Sequence, residues 1–143
     1  MNPTKFMVLA EAIASFSKDP STKVGAVIID DDCNVLAMGF NGFPRGVADL
    51  EDRLWDKEVK YALVVHAEAN AIAAAARTGQ RLKGATIVVS SLFPCRDCAG
   101  LIAQAGIKKV IAPKISNERW KESNETAKVI FSEAGIEVVE ILP

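Results

Sequence analysis

The sequence of this protein has little net charge and contains no long apolar segment. Its 17 basic and 18 acidic residues leave a formal net charge of −1 over 143 residues. A broad nucleic-acid-binding surface normally appears as a basic excess, so we do not expect one here. Neither the apolar core of a signal peptide nor a run long enough to span a membrane is present. These absences predict a cytoplasmic protein that acts on a small molecule, away from membranes.

Cysteine and histidine are also scarce. The chain has three cysteines and one histidine, and an odd number of cysteines in a reducing compartment argues against a disulfide framework. Cys33 falls in a predicted hairpin turn and is interpreted as an incidental turn residue. Cys95 and Cys98 stand at positions i and i+3, directly after Pro94. A helix that begins there would project both sulfurs from one face, and its dipole would favour thiolates. Taken alone, this pair fits either a redox site or half of a zinc site.

The hydrophobic pattern predicts one α/β domain spanning residues 1–143. Half of the residues are hydrophobic and 24% are charged, as in a soluble globular protein. Periodicity and alanine content predict helices over 3–17, 69–76, 95–105 and 118–134. Short apolar runs predict strands over 24–29, 35–40, 85–91, 108–112 and 136–141.

The order of these elements predicts the fold class. The sequence α-β-β-α-β-α-β-α-β indicates a layered sheet with helices on both faces. Strands four and five are joined by a helix, so they should run parallel through a right-handed crossover. Residues 41–56 contain glycine and proline without a sustained period and predict a long irregular loop, which in compact domains is usually functional or disordered.

The single histidine opens a helix that is separate from the cysteine pair. His66 begins the alanine-rich helix, and Glu68 follows two residues later. A lone histidine is more often structural than ligating, but His66 with Cys95 and Cys98 makes three zinc ligands and leaves a fourth position open. Structural zinc usually has four protein ligands, whereas catalytic zinc keeps one position for water. The pattern His-x-Glu followed by Pro-Cys-x-x-Cys is typical of zinc deaminases.

Glu68 is the predicted catalytic residue of this site. Two thiolates and an imidazole donate much charge to Zn²⁺ and weaken its Lewis acidity, so a nearby base should help to ionise water. Glu68 would take that proton from water, deliver it to ring nitrogen N3 of the substrate base and assist the departure of ammonia from C4 of the same ring. The alternative is that Glu68 only complements the helix dipole in the first turn.

The sequence resembles the deoxycytidylate (dCMP) deaminases of the cytidine deaminase superfamily over nearly its whole length. The resemblance implies a cytidine-deaminase-like three-layer fold with a five-stranded mixed sheet, in the branch whose strands four and five are parallel. It implies hydrolytic deamination of dCMP to dUMP and ammonia, in pyrimidine deoxynucleotide metabolism, with one catalytic Zn²⁺ per subunit. The matching segments are 17–26, 39–46, 60–61, 66–72, 92–99 and 104–108.

The resemblance assigns substrate contacts to further residues. It implies that Asn41 holds the deoxyribose 3′-hydroxyl, that the Ala67 backbone meets the pyrimidine carbonyl, and that Val24 lines the base pocket. Where relatives tend to carry a tyrosine at the rim of the active site, this chain has Arg119 and Trp120. Trp120 would stack on the base or close the pocket, and Arg119 would bind the 5′-phosphate bidentately. Equally, Trp120 could pack beneath the last helix while Arg119 lies in solvent.

The loop from Gly42 to Arg53 resembles a regulatory region of this superfamily. Many members bind a deoxynucleoside triphosphate there between subunits, with dCTP as an activator and dTTP as an inhibitor. By the resemblance, Gly42, Arg45 and Gly46 would belong to such a site, with Mg²⁺ accompanying the triphosphate. The same likeness implies a homo-oligomer, either a hexamer or a dimer.

Three other functions are compatible with the same residues. Changes in the pocket alone would redirect the chemistry to another small nucleotide or base, such as modified dCMP, guanine or a riboflavin precursor. Deamination of tRNA adenosine or of cytosine in single-stranded nucleic acid would use the same zinc site, although the charge balance and the long segment 41–65 argue against it. A zinc-stabilised nucleotide-binding protein without turnover is the third, and Glu68 argues against it.

Overall fold

The computed structural model describes residues 2–142 as a five-stranded sheet with helices packed against it. The strands are β1 Gly25–Ile29, β2 Val35–Phe40, β3 Thr86–Val89, β4 Lys109–Pro113 and β5 Glu137–Ile141. The α-helices are α1 Met7–Ala14, α2 Glu51–Trp55, α3 Lys57–Leu63, α4 Ala67–Thr78, α5 Arg96–Gln104 and α6 Lys121–Glu133. None of these helices has the length and apolar character needed to cross a membrane.

The sheet is mixed, with the strand order β2-β1-β3-β4-β5. β1 runs antiparallel to β2 and β3, whereas β4 runs parallel to both β3 and β5. Parallel neighbours need a crossover connection, which α5 supplies between β3 and β4, and α6 between β4 and β5. The predicted five-stranded mixed sheet and the parallel pairing of strands four and five are confirmed. Every residue of β1 and β3 is buried, as expected for apolar strands covered on both faces.

Two apolar cores, one on each face of the sheet, make the fold three-layered. On one face α1 buries Ala10 and Ile13 against Val27 and Val88 of the central strands. The larger core on the other face joins α4, α5 and α6 to alternate residues of the same strands, such as Ile28. Because successive side chains of a strand point to opposite faces, one short apolar run supplies both cores. The prediction of helices on both faces is therefore confirmed.

The alanine-rich helix α4 approaches the sheet at backbone contact distance. A Cβ atom added to Gly39 of β2 would lie 2.5 Å from Ala71 N and 2.8 Å from Ala67 O. Glycine on the strand and alanine on the helix remove the side chains that would otherwise separate these two elements. The first turn of α4 is therefore held at a defined height above the sheet, and His66 is its N-cap residue.

The structure differs from the sequence-based prediction mainly between the hairpin and α4. The predicted irregular loop over 41–56 contains α2, and α3 follows it directly. Asp56 starts α3 by accepting hydrogen bonds from Glu58 N and Val59 N. Both helices are short and rich in charged residues, so they show too little hydrophobic periodicity to be recognised.

Two predicted helices also begin or end differently from the prediction. The helix predicted over 3–17 is a 3₁₀-helix, Pro3–Phe6, followed by α1, which ends at Ala14. The helix predicted over 118–134 begins with a 3₁₀ turn, Glu118–Trp120, before α6. Such 3₁₀ turns are frequent at helix termini and leave the rest of the pattern unchanged.

Candidate active site

Two helices begin near one another and bring His66, Cys95 and Cys98 together. His66 is the N-cap residue of α4, and Cys95 is that of α5. Cys98 lies one turn into α5, where its backbone N–H points to Cys95 Sγ at 3.5 Å. His66 Nδ1 lies 3.4 Å from Cys95 Sγ and 3.5 Å from Cys98 Sγ. The three donor atoms all lie within 4.8 Å of one another.

These three side chains fit a tetrahedral zinc site. Zinc bond lengths of about 2.0 Å to nitrogen and about 2.3 Å to sulfur, at the tetrahedral angle, imply a nitrogen-to-sulfur separation of about 3.5 Å. The separations in the structure, 3.4 and 3.5 Å, are close to that value. Imidazole and thiolate are also ligand types that zinc prefers. Three protein donors leave one tetrahedral position for water or substrate, as in catalytic zinc sites.

Contacts among the donors already favour a thiolate. The Cys98 thiol donates to Cys95 Sγ, and this contact is the main reason that the pKa of Cys95 falls far below its ordinary value. The same contact, together with burial, raises the pKa of the Cys98 thiol. Hydrogen bonding to Cys95 also raises the pKa of His66. The pair therefore holds negative charge beside two helix N-termini, which help to stabilise it.

Glu68 is a buried acidic group beside these donors. It stands in the first turn of α4 and is 5% exposed. Burial raises the pKa of the Glu68 carboxyl to about 7, because the charged form loses its hydration. A carboxyl group with a pKa near neutrality both accepts and releases protons readily. Its chemistry and its place next to the three donors therefore suit proton exchange.

A cavity of about 290 Å³ opens beside the donors. The predicted site residues that line it are Val24, Asn41, His66, Ala67, Glu68, Cys95, Arg119 and Trp120. Cys98 is nearly buried, at 2% exposure, and does not belong to the lining. The volume lies just below the usual range for small-molecule sites, which is about 300–1,000 Å³. The structure thus brings the predicted metal donors and substrate contacts to one concave site.

Asn41 lies in the cavity wall, where hydrogen bonds fix the orientation of its side-chain amide. Its residue is 8% exposed, its Oδ1 accepts a hydrogen bond from Val24 N at 2.8 Å, and its Nδ2 donates to Thr22 O at 2.9 Å. In the reversed orientation, Asn41 Nδ2 would face the N–H donor of Val24, and Oδ1 would face the carbonyl acceptor of Thr22. Because an amide oxygen has two lone pairs, Oδ1 retains acceptor capacity for a ligand.

Arg119 and Trp120 contact aromatic rings of the same cavity. The Arg119 guanidinium lies 4.9 Å from the Tyr61 ring centroid and 5.4 Å from that of Trp120. The Trp120 ring meets His66 edge-on, with 6.4 Å between ring centroids. Within residues 2–142, Arg119 forms no ion pair with a carboxylate. Its charge is therefore available to an anionic ligand, and the Trp120 ring borders the cavity.

The residues of the predicted regulatory loop lie apart from this cavity. Gly42 lines a second cavity of about 260 Å³, next to Phe40 and Phe43. Arg45 and Gly46 belong to neither lining. Gly46 turns the chain with a left-handed φ of 85°, a conformation that glycine adopts without strain.

Asn124 supports the site and escapes the sequence-based prediction. This α6 residue is 4% exposed, and its Nδ2 donates to the carbonyl oxygens of Phe93 and Pro94, each at 3.0 Å. These bonds hold the turn that delivers Cys95 to the cavity. Asparagine is disfavoured inside helices because its side chain competes for backbone groups. Its occurrence on the buried face of a helix was the available signal.

A buried ion pair between Asp19 and Lys60 was also not predicted. Lys60 Nζ lies 3.2 Å from Asp19 Oδ1, and both residues line the cavity. Charged residues are almost never fully buried unless they are paired, and the partners here are 41 positions apart. No local pattern connects them, so only the folded chain shows the pair.

The sequence matches the family described as "Cytidine and deoxycytidylate deaminase zinc-binding region" over residues 1–114. It is 44% identical over 137 residues to an Aliivibrio fischeri protein named "Uncharacterized deaminase in luxG 3'region", covering 94% of this chain and 89% of that protein. It is 38% identical over 151 residues to the deoxycytidylate deaminase of Mus musculus, covering 99% and 80%.

Solved structures show the same relationship. The dCMP deaminase from cyanophage S-TIM5, in complex with dCMP and dUMP, matches with a TM-score of 0.79 at 29% identity, over 99% of each chain. A structure from studies of tRNA:A34 deaminases matches with a TM-score of 0.63 at 27% identity, over 96% of this chain and 98% of that one. The chain therefore belongs to the cytidine and deoxycytidylate deaminase family, whose zinc-binding region it carries.

Proposed function

We propose that this protein is a zinc-dependent hydrolase that converts dCMP and water to dUMP and ammonia. The observation that carries the proposal is the buried Glu68 carboxyl on the wall of the cavity that His66 and Cys95 also line. Two relatives support the choice of substrate: the mouse protein is named deoxycytidylate deaminase, and the cyanophage enzyme was solved with dCMP and dUMP. We assign the reaction to pyrimidine deoxynucleotide metabolism and the protein to the cytoplasm.

In the proposed reaction Glu68 moves the protons. A zinc ion held by His66, Cys95 and Cys98 would supply Lewis-acid activation of water. Glu68 accepts a proton from this water and donates it to N3 of the pyrimidine as the oxygen adds to C4. It then carries the second water proton to the amino group, and ammonia leaves as the C4 carbonyl forms. Water is added and ammonia is lost, with no oxidation or reduction.

Three neighbouring residues orient the nucleoside in this proposal. Ala67 is the first residue of α4, and backbone N–H groups in the first turn of a helix lack intrahelical partners. Its N–H therefore suits the pyrimidine 2-carbonyl oxygen. Asn41 Oδ1 accepts the sugar 3′-hydroxyl through its remaining lone pair, and Val24 packs against the base.

We assign the 5′-phosphate to Arg119 and one face of the cavity to Trp120. Stacking between the Tyr61 and Trp120 rings holds the guanidinium while its N–H donors stay available. Guanidinium donors match a phosphate bidentately, which a single ammonium does not. The assignment predicts a substrate preference for the nucleotide over deoxycytidine. Replacement of Arg119 by Met should raise KM for dCMP and leave KM for deoxycytidine nearly unchanged.

The remaining assignments concern organisation and regulation. We propose a single catalytic domain, residues 1–143, which assembles into a homo-oligomer, either a dimer or a hexamer. We also propose that dCTP and dTTP, with Mg²⁺, act as effectors near Gly42, Arg45 and Gly46. The second cavity supports this assignment, because Gly42 lines it beside the aromatic rings of Phe40 and Phe43. Aromatic rings of this kind stack readily on a base.

The test is a panel of substrates presented to purified, zinc-loaded protein. dCMP, CMP, deoxycytidine, guanine and a 5-modified dCMP are incubated separately, each with and without dCTP, and ammonia and the deaminated product are quantified. We expect dUMP from dCMP at the highest kcat/KM of the panel. Zinc-containing protein that produces no dUMP would refute the proposed function, and exclusive turnover of guanine would assign the site to another base.

The role of Glu68 is tested with two matched glutamate variants. Glu68→Gln should keep the zinc content and lose about 10²–10⁴-fold in kcat. Glu122 also stands in the first turn of a helix but is exposed, so Glu122→Gln should keep wild-type activity. Equal effects of the two substitutions would mean that Glu68 acts only on the helix dipole.

A further inference from the structure

Lys60 is an ammonium group buried beside the substrate cavity. Its residue is 3% exposed, and its Nζ lies 3.2 Å from Asp19 Oδ1 and 3.4 Å from Ser21 Oγ. The Tyr61 ring adds a cation–π contact at 5.2 Å from its centroid. A buried ion pair is often no more stabilising than apolar residues of the same volume. Its presence here therefore suggests a role in geometry.

Asp19 connects this ion pair to a tight turn. Its Oδ1 also accepts hydrogen bonds from Ser21 N at 2.8 Å and Thr22 N at 3.1 Å. One carboxylate oxygen thus gathers the Lys60 ammonium and two backbone donors. The turn formed by residues 19–22 is thereby attached to α3, from which Lys60 extends.

This turn and its flanking residues in turn hold Asn41 and orient its side-chain amide. Thr22 O accepts a hydrogen bond from Asn41 Nδ2 at 2.9 Å, and Val24 N donates to Asn41 Oδ1 at 2.8 Å. Asp19 Oδ2 lies 3.5 Å from the same Nδ2, and Ser17 Oγ donates to Asn41 O at 2.8 Å. All four partners lie between residues 17 and 24. A displacement of this segment would therefore reorient the amide.

The same side chains separate two cavities. Asp19, Asn41, Lys60 and Val64 line both the substrate cavity and the second cavity. They form a common wall that contains the Lys60–Asp19 ion pair and Asn41. Without the contacts of Lys60, this wall would border the second cavity unsupported, and its position relative to α3 would not be fixed.

We propose that Lys60 is a positioning residue, which through Asp19 and the 19–22 turn holds Asn41 in the orientation that reads the 3′-hydroxyl of the substrate sugar. The inference rests on the proposed function, in which dCMP occupies the cavity and Asn41 contacts its sugar. Lys60 touches no reacting atom. Its loss lowers the selectivity for a 3′-hydroxylated nucleotide and leaves proton transfer by Glu68 intact.

The experiment compares dCMP with 2′,3′-dideoxycytidine 5′-monophosphate, which lacks only the 3′-hydroxyl. For the wild type we expect a preference for dCMP of about tenfold or more in kcat/KM, because a site built to bind a hydroxyl rejects the analogue without it. In Lys60→Met, KM for dCMP should rise until the preference is about twofold. The KM of the dideoxy nucleotide, kcat and the zinc content should stay at wild-type values.

Two further variants distinguish a specific effect of Lys60 from a general loss of folding. Lys60→Met alone leaves the Asp19 carboxylate buried without a counterion, which is strongly destabilising. The double variant Asp19→Asn with Lys60→Met removes both charges and keeps an acceptor for the turn, so it should fold and still show the reduced preference. Lys108→Met is the matched control, because it breaks an exposed lysine–aspartate pair, Lys108–Asp31 at 2.7 Å, outside segment 17–24 and outside both cavities. It should keep the wild-type ratio.

Each outcome decides the inference. A wild-type preference in the folded double variant overturns it, as does a rise in KM that is equally large for the dideoxy nucleotide. A rise in KM that disappears when deoxycytidine replaces dCMP makes Lys60 a direct phosphate ligand and also overturns it. A double variant that does not fold assigns the pair to stability alone.

The same measurements separate this inference from the proposed function. A wild-type protein that leaves dCMP unchanged refutes the proposed function, and the inference falls with it. A wild-type protein that turns over dCMP and the dideoxy nucleotide equally well keeps the proposed reaction and overturns the roles of Asn41 and Lys60 in recognising the 3′-hydroxyl.

Discussion

The close contact between Gly39 and α4 determines how rigidly the candidate site is held, and Gly39→Ala tests it. The added methyl group would lie 2.5 Å from Ala71 N, whereas ordinary contact begins at 3.4 Å. The strand and the helix must therefore separate by about 0.9 Å, since backbone atoms cannot rotate aside as a side chain does. Overpacking of this kind costs about 1–3 kcal/mol of the free energy of unfolding, or about 2–12 °C in Tm.

The same displacement of α4 should also lower the rate of the reaction. α4 carries His66 at its N-cap and Glu68 in its first turn, so a shift of the helix moves both relative to Cys95 on α5. A misplacement of about 1 Å costs about 10²-fold in rate. We expect this loss mainly in kcat, measured by dUMP formation, alongside an earlier urea unfolding transition.

Gly100→Ala is the control for Gly39→Ala. A Cβ at Gly100 meets no atom within 4 Å, and the residue lies inside α5. Alanine favours a helix interior over glycine by about 0.5–1 kcal/mol, so this variant should be more stable than wild type. Gly39→Ala protein that unfolds within about 0.5 kcal/mol of wild type and retains full kcat would show that the contact does not hold α4.

Four other perturbations have defined outcomes. Chelation of zinc should lower Tm in calorimetry, because a ligand that binds only the folded chain stabilises it by about 4 kcal/mol at 1,000 times its Kd. Cys33→Ser should keep the wild-type zinc stoichiometry. A loss of zinc in this variant would contradict the three-donor site. Asn124→Ala leaves two buried carbonyl oxygens before α5 without their donor and should cost about 1–3 kcal/mol in urea unfolding, and an unchanged transition would contradict this role. The exposed Lys108–Asp31 pair, 2.7 Å apart, should contribute less than about 1 kcal/mol, so a larger loss in Lys108→Ala would mean that solvent does not screen it.

The parallel half of the sheet could be predicted because its signals are local. Each helix after β3 and β4 ends before a glycine, Gly106 or Gly135, and both adopt the left-handed φ expected after a helix. A helix between two apolar runs then requires a parallel crossover. The spacing of Cys95 and Cys98 is local in the same sense, since one helical turn determines where both sulfurs lie.

The segment from 51 to 63 could not be predicted for the opposite reason. α3 buries Lys60, a residue that a hydrophobic pattern assigns to solvent, and its start depends on the side chain of Asp56. The burial of Lys60 becomes acceptable only because Asp19 is nearby in the folded chain. Tertiary pairing of this kind overrides local propensity, so the wall of the cavity is visible only in three dimensions.

The antiparallel pairing of β1 with β3 also governs when the site can form during folding. Ala26 pairs with Val89, so this contact closes a loop of about 60 residues, whereas β1 and β2 form a local hairpin. Closing a long loop costs entropy before its contacts offset that cost, and such pairings slow folding. α4 packs on the hairpin and α5 follows β3, so their N-termini meet only after the central pair has joined. We therefore expect the refolding chain to acquire the metal late, at a rate that reports the pairing of β1 with β3.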